Sequence, residues 1–207
     1  MSEGNGHLSG AFEGVATRMR SADLRAVGFT GAVQGDGAST LALGTSLSLA
    51  ASDAGTVLLV DANWLHPSLT ADAGLGSHPG LADVLRGDAD FGETVHATGR
   101  PRLMFLAAGA LDGDRAFLAL SAFMDRALSQ FSAVVADLPP ALAGDFLLLP
   151  WAAELQQIFV VARSGVTPLA LVRRAVQEVG VARPQLVLNR IPGAPAGWTA
   201  LPPAAVT

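Results

Sequence analysis

The sequence predicts an α/β fold, with a mainly parallel β-sheet flanked by helices in one domain. Three observations predict it. Short runs of Val, Leu, Ile and Phe recur along the 207 residues without polar alternation, as expected for strands buried on both faces. Segments with three- and four-residue apolar spacing lie between them, so strand and helix alternate and the connections are βαβ crossovers. Hydrophobic residues make up 50% of the chain, charged residues 15%, and mean hydropathy is +0.41. Such a composition suits a large buried sheet and excludes disorder.

Residues 1–10 read as a flexible leader and Phe12 to Leu24 as a short helix carrying Arg18 and Arg20. A first strand at Ala26–Thr30 runs into the Gly-rich segment Gly31–Thr40. Leu41–Ala51 follows, where Gly44 and several hydroxyl side chains mark a tightly packed helix rather than a membrane span. Further strands are expected at Thr56–Val60, Arg102–Leu106, Ala133–Ala136, Ile158–Ala162 and Gln185–Leu188. Between 113 and 130, Phe117, Leu120, Met124 and Leu128 share a helical face. Leu138–Pro150 reads as a loop with a short turn. Thr167 and Pro168 open a helix as cap and first-turn proline; Leu169, Val172, Val176 and Val179 line its inner face and Gly180 closes it. The domain is expected over residues 11–193, with a Gly-, Pro- and Ala-rich flexible tail at 194–207.

Several function classes fall away. The start of the chain lacks the basic-then-apolar order of a signal peptide, which predicts a cytoplasmic protein. Zero cysteines exclude disulfides and thiol chemistry. A formal charge of −5 and a pI of about 5.2 argue against a nucleic-acid surface. His66, His78 and His96 fall on three separate loops, too scattered for zinc. Ser164 lacks a histidine base and reads as the start of a turn. Trp64 is expected at the mouth of the site as a packing residue, and Phe146–Trp151 is a candidate partner surface.

Ligands of parallel sheets bind beyond the carboxyl ends of the strands. The sequence places there the 31–40 segment, Asp61, Asn63, Asp137 and Asn189. Gly35-Asp36-Gly37-Ala38-Ser39-Thr40 follows a strand and opens an apolar helix. A phosphate loop needs small residues so that backbone N–H groups converge on oxygen anions, a hydroxyl for Mg²⁺, and a lysine across the outer phosphates. Gly35, Gly37, Ser39 and Thr40 meet those needs, but the lysine position is Ala38.

The run Phe29–Thr40 resembles the loop of bacterial tyrosine kinases of capsule and exopolysaccharide synthesis, relatives of the partitioning-type P-loop ATPases. Val57-Leu-Leu-Val-Asp-Ala-Asn-Trp-Leu-His-Pro67 is similar to their second acidic motif, and Gly80–Gly87 to the segment after it. Val134-Val-Ala-Asp-Leu-Pro-Pro140 is similar to their third, an aspartate just before paired prolines; Val160–Thr167 and Val187–Arg190 match the last two strands. Together these cover residues 10 to 193. The resemblance implies that Asp61 holds or orients Mg²⁺, that Ser39 coordinates it, that Asp137 sits behind the metal, and that Asn189 contacts the base.

The sequence departs from that pattern where activity is decided. Ala38 replaces the lysine, Asn63 stands where the family has a second aspartate, and Leu65 and His66 replace an arginine pair. No tyrosine is present, whereas the kinases phosphorylate a tyrosine-rich tail. Of the glutamate–arginine oligomerisation motif Glu13 is present, but Ala16 and Met19 fall where its arginines belong. These departures describe an impaired kinase relative, with Asp61 and Asp137 vestigial, acting as a regulatory or scaffold protein of exopolysaccharide and capsule export. An active protein kinase or ATPase of the same pathway, or a partitioning-type nucleotide-binding protein, are the alternatives. No cofactor is fixed by the residues alone; the family implies ATP or ADP with Mg²⁺, held weakly. The implied partner is a membrane-embedded polysaccharide chain-length regulator or an active kinase homologue, through which the chain reaches the membrane's inner face. Self-association is expected to stop at a weak dimer.

Overall fold

The seven strands are β1 (Ala26–Gly31), β2 (Val57–Asp61), β3 (Val95–Ala97), β4 (Leu103–Leu106), β5 (Ala133–Asp137), β6 (Gln157–Arg163) and β7 (Gln185–Asn189). They form one sheet in the order β3-β4-β2-β5-β1-β6-β7. All pairings are parallel except that of β3 with β4. The computed structural model describes residues 6–52, 55–110, 114–179 and 184–189. Residues 1–5 of the expected leader, the expected cap Gly180, Arg190 and the tail at 194–207 lie outside the described residues.

Strands β1, β2 and β5 are buried at every position, which is why their sequences run apolar without alternation. Strand β3 was not expected from the sequence. Its three residues carry no apolar run, and what holds them is pairing with β4 at the sheet edge.

Helices α1 (Gly6–Ser21) and α2 (Ala38–Ala51) cover one face of the sheet. The other face packs against α4 (Leu81–Arg86), α6 (Leu120–Gln130), α7 (Asp145–Glu154) and α8 (Leu169–Glu178). Two short helices, α3 (Ser68–Asp72) and α5 (Phe91–Thr94), sit in the connections. Helix α1 begins at Gly6 rather than Phe12, so residues 6–10 of the expected leader have helical backbone. Phe12, Ala16 and Met19 are its buried stripe, at spacings of four and three. A Cβ on Gly44 of α2 would strike the Phe12 ring, so the glycine lets the two helices close.

Three expectations for the second half need correction. The 113–130 segment splits into a 3-10 turn, Asp114–Ala119, and α6. Leu138–Pro150 is not a loop. After a short 3-10 turn, Ala141–Ala143, the chain forms α7 with Pro150 inside it. Leu147, Leu148 and Trp151 are buried there, while Phe146 (59%) and Leu149 (48%) are exposed, so Phe146–Trp151 is half core and half surface. In α8 the cap position is Pro168, and the Thr167 hydroxyl is committed elsewhere. Leu169 is 64% exposed, whereas Val172, Ala175 and Val179 are buried. The inner stripe therefore starts one turn later than the first leucine suggests.

Candidate functional site

Strand β1 ends at Gly31 in the middle of the sheet, between β5 and β6. The loop from there to α2 lines a crevice of about 330 Å³ together with Asn63, His66, Ser68, Leu138 and Pro140. Gly35 (φ 83) and Gly37 (φ 98) hold left-handed backbone that glycine adopts at little cost. Gly37 is required twice over, because a Cβ there would also collide with the Asn189 side chain. Helix α2 starts from Gly37 with no side-chain cap. Its first-turn N–H groups and its positive end are therefore left to an anion or to water. Ala38, Ser39 and Thr40 line the crevice.

Asp36, the residue between the two left-handed glycines, was missed by sequence reasoning. It is buried, and its Oδ2 accepts from the Val33 N–H at 3.0 Å. Its Oδ1 accepts from the Thr167 hydroxyl at 2.6 Å and forms an ion pair with Arg163 Nε at 3.5 Å. The Asp36 carbonyl accepts from Asn189 Nδ2 at 2.9 Å. One residue thus ties the loop to itself and to the ends of β6 and β7. The available signal was a lone carboxylate inside a glycine loop, where a solvent-facing side chain is the default reading. Arg163, a conceivable substitute for the lost lysine, is paired with this carboxylate.

Asp61 and Asp137 end adjacent strands in register with each other. Both are fully buried. Asp61 faces α3: its Oδ2 accepts from the Thr70 N–H at 2.9 Å and from the Thr70 hydroxyl at 2.8 Å, and its Oδ1 from the Asn63 N–H at 3.1 Å. The same Thr70 hydroxyl accepts from the Ala108 N–H. Burial raises the Asp61 carboxyl above the usual carboxylate range and these donors pull it partly back. Neither oxygen of Asp137 has a hydrogen-bond partner. Burial first, and then the charge of Asp61, push its carboxyl well above the usual range; the Ser39 hydroxyl is the polar group that opposes the shift.

Asn63 Oδ1 accepts from the His66 N–H at 3.3 Å, which sets the turn that brings His66 to the crevice wall. Trp64 turns the other way. Its indole N–H donates to the Ala108 carbonyl at 2.9 Å, and its ring meets Phe117 edge-on, so it packs on the core instead of guarding the crevice. His66 and Ser68 are crevice residues that the sequence reading did not assign to the site. His78 and His96 come together with ring centroids 6.1 Å apart, and His96 lies on β3 rather than in a loop. Among the described residues no group of three or more His, Asp or Glu side chains could hold a metal ion.

A hard divalent cation prefers oxygen donors and completes its shell with water and phosphate. The pairing that fits one here is Ser39 with the orphaned Asp137 carboxylate, since the Asp61 oxygens are already engaged. Nucleotide phosphates would meet the uncapped start of α2 and the loop backbone.

No family model matches the chain. The candidate tyrosine-protein kinase EpsB of Ralstonia solanacearum is 30% identical over 166 residues, which are 78% of this chain and 22% of EpsB. The tyrosine-protein kinase CpsD of Streptococcus agalactiae is 30% identical over 113 residues, 52% of this chain and 48% of CpsD. The chain thus spans half or less of the length of the curated relatives it matches. Among solved structures, the chimerical protein CapA2B2 superposes with a TM-score of 0.83 at 19% identity, covering 92% of this chain and 88% of that one. The VpsO kinase domain gives 0.80 at 23%, covering 89% and 94%. MinD of Pyrococcus horikoshii, solved with Mg-ADP, gives 0.59 at 19%, covering 78% and 67%. At these identities the superpositions show the P-loop NTPase-like α/β fold. Among the described residues no helix is long and apolar enough to cross a membrane.

Proposed function

We propose that this chain, which belongs to the bacterial tyrosine-kinase family of capsule and exopolysaccharide synthesis within the partitioning-ATPase-like P-loop superfamily, is a catalytically impaired member that works as a regulatory or scaffold subunit. One observation carries the reading. Where a phosphate-binding lysine would extend from the loop stands Ala38, and the nearest charged loop residue is the buried carboxylate of Asp36. That carboxylate already takes one loop N–H, one hydroxyl and the Arg163 cation. The loop is thereby held in shape by an internal anion, and phosphate loses both a cation and a donor. Asn63 further lacks the negative charge and basicity that a metal ligand or general base needs.

The buried stripe of α1 supports the same reading. Ala16 and Met19 pack against the core, so the two positions matching the family's arginines cannot present charge to a neighbouring copy. A subunit of this kind would act by contact with a membrane-embedded chain-length regulator or with an active kinase homologue, and would reach the cytoplasmic membrane face through it. Its own pairing would stop at a weak dimer.

The test is calorimetric titration of Mg·ATP into the purified chain. Removing one charge-assisted contact, worth about 2 kcal/mol or roughly 30-fold, from a site with a Kd of about 5 μM gives a Kd above roughly 100 μM. A sub-micromolar Kd, or phosphoryl transfer to a tyrosine-bearing partner at a rate typical of kinases, would overturn the proposal in favour of an active enzyme.

A further inference from the structure

Helices α2 and α3 each border two cavities. One is the loop crevice. The other, also of about 330 Å³, lies between α2, α3 and the β3–β4 hairpin and is separate from the loop residues. It exists because this edge of the sheet is under-covered. Helix α1 packs on α2, α2 meets β4 at only part of its length, and the five-residue α3 packs on β2. Leu43 and Leu47 of α2, Leu69 of α3 and Phe105 of β4 are therefore left lining a hollow. Apolar cavities of this size that are not filled cost stability, and apolar pockets with a few polar groups are the usual form of a small-molecule site.

We infer that this hollow is a second ligand site, for a small amphiphile with an aliphatic body and an anionic head. The apolar walls fix the body. Charge on the rim fixes the head: Arg100 is exposed there, and its guanidinium has no ion-pair partner among the described residues. The one rim carboxylate, Asp72, is on α3, and it would disfavour the anion on its own side. His96, in the same wall, keeps its Nε2 buried with no hydrogen-bond partner.

The site is placed to act on the loop. Ser39 and Thr40 of α2 line the crevice, and one turn further on Leu43 lines the cavity. In α3, Ser68 faces the crevice, Leu69 faces the cavity, and Thr70 beside them grips Asp61. A body that fills the cavity braces α3 against β2 through the Thr70–Asp61 contact. Occupancy is therefore felt at the loop without any ligand atom near it.

The experiment is NMR titration of the full chain, with labelled leucine methyls and backbone amides, using decanoate, decanol and acetate as probes. Decanoate is expected to shift the Leu43, Leu47 and Leu69 methyls saturably with a Kd below roughly 1 mM. Decanol should bind several-fold more weakly and acetate not at all. Arg100→Ala should reduce decanoate to the decanol level. Ala97→Trp, at an exposed position on the rim, should block both while the spectrum stays that of a folded chain. Gly37 and Ser39 amides should move in step with the methyls. Absence of saturation, or binding unchanged by Ala97→Trp, would overturn the site. Decanol binding as tightly as decanoate would overturn the anionic head, and silent loop amides would overturn the coupling. None of these readouts depends on whether nucleotide binds.

Discussion

Asp61 and Asp137 stand side by side at the ends of β2 and β5, both fully buried, yet their surroundings are opposite. Asp61 accepts three hydrogen bonds from Thr70 and Asn63, whereas Asp137 accepts none within hydrogen-bonding geometry. A buried carboxylate with its donors in place is a structural element; one without them needs a proton or a cation. The family pattern assigns the metal to the first of these residues, while the geometry leaves the second unsatisfied. Asp36 belongs with Asp61, because its oxygens are also committed to protein groups. Two of these three carboxylates therefore stabilise loops, and one is chemically open.

The largest effect expected from this contrast is on stability. Asp61→Ala leaves two backbone N–H groups and the Thr70 hydroxyl without their acceptor in a buried place. At about 1–3 kcal/mol for each buried group left unpaired, the loss should be about 3 kcal/mol or more. Chemical denaturation would read this as a lower midpoint at unchanged slope. A loss below about 1 kcal/mol would mean that water satisfies those groups and that Asp61 is free for other work.

How far the sequence discloses these roles depends on what each role requires. Strands β1, β2 and β5 are legible because burial on both faces leaves a continuous apolar run. Parallel sheets bind ligands beyond their strand ends; Asp61, Asp137 and Asn189 do end their strands and Asn63 follows β2, but of these four Asn63 alone lines the crevice. What each side chain does there is not legible. Two of the three donors to Asp61 come from Thr70, nine residues on, and the hydroxyl donor to Asp36 comes from Thr167, 131 residues away. No local spacing encodes either contact. Pro150 signals a break and hides α7, but the buried Leu147, Leu148 and Trp151 outweigh it. The short edge strand β3 has no pattern of its own.

An intermediate effect is expected on the loop itself. Ala38→Lys supplies the missing cation at a position that lines the crevice, and Trp64, turned away, does not stand in its path. Mg·ATP affinity should rise roughly 30-fold, equivalent to about 2 kcal/mol. Turnover should stay at background, since losing a general base costs roughly 10²–10⁴-fold. Adding Asn63→Asp keeps the acceptor for the His66 N–H and restores a carboxylate, so any recovery of phosphoryl transfer should appear only in the double mutant. Transfer rescued by the lysine alone would show that Asn63 was never limiting. No gain in affinity from either variant would show that the Asp36 knot, rather than the missing lysine, closes the site.

The smallest effect expected is on the pH dependence of stability, and it isolates Asp137. Its folded-state pKa is raised, by burial and then by Asp61. The native state therefore keeps a proton that the unfolded chain releases near about pH 4. Where the native state binds more protons, stability falls as pH rises. The stabilisation is thus complete below about pH 4 and is lost as pH climbs through the raised value. Asp137→Asn holds a neutral side chain of the same shape at every pH. Its Tm should match the wild type in acid and exceed it at neutral pH, with the residual slope set by the other shifted groups, Asp61, Asp90 and His96. Mg²⁺ sharpens the comparison. If Ser39 and Asp137 hold a cation, millimolar Mg²⁺ raises the Tm of the wild type at neutral pH and leaves that of Asp137→Asn unchanged. Parallel pH profiles for the two proteins would place the titration on Asp61 instead, and the difference between the two carboxylates would then be one of hydrogen bonding without a consequence for charge.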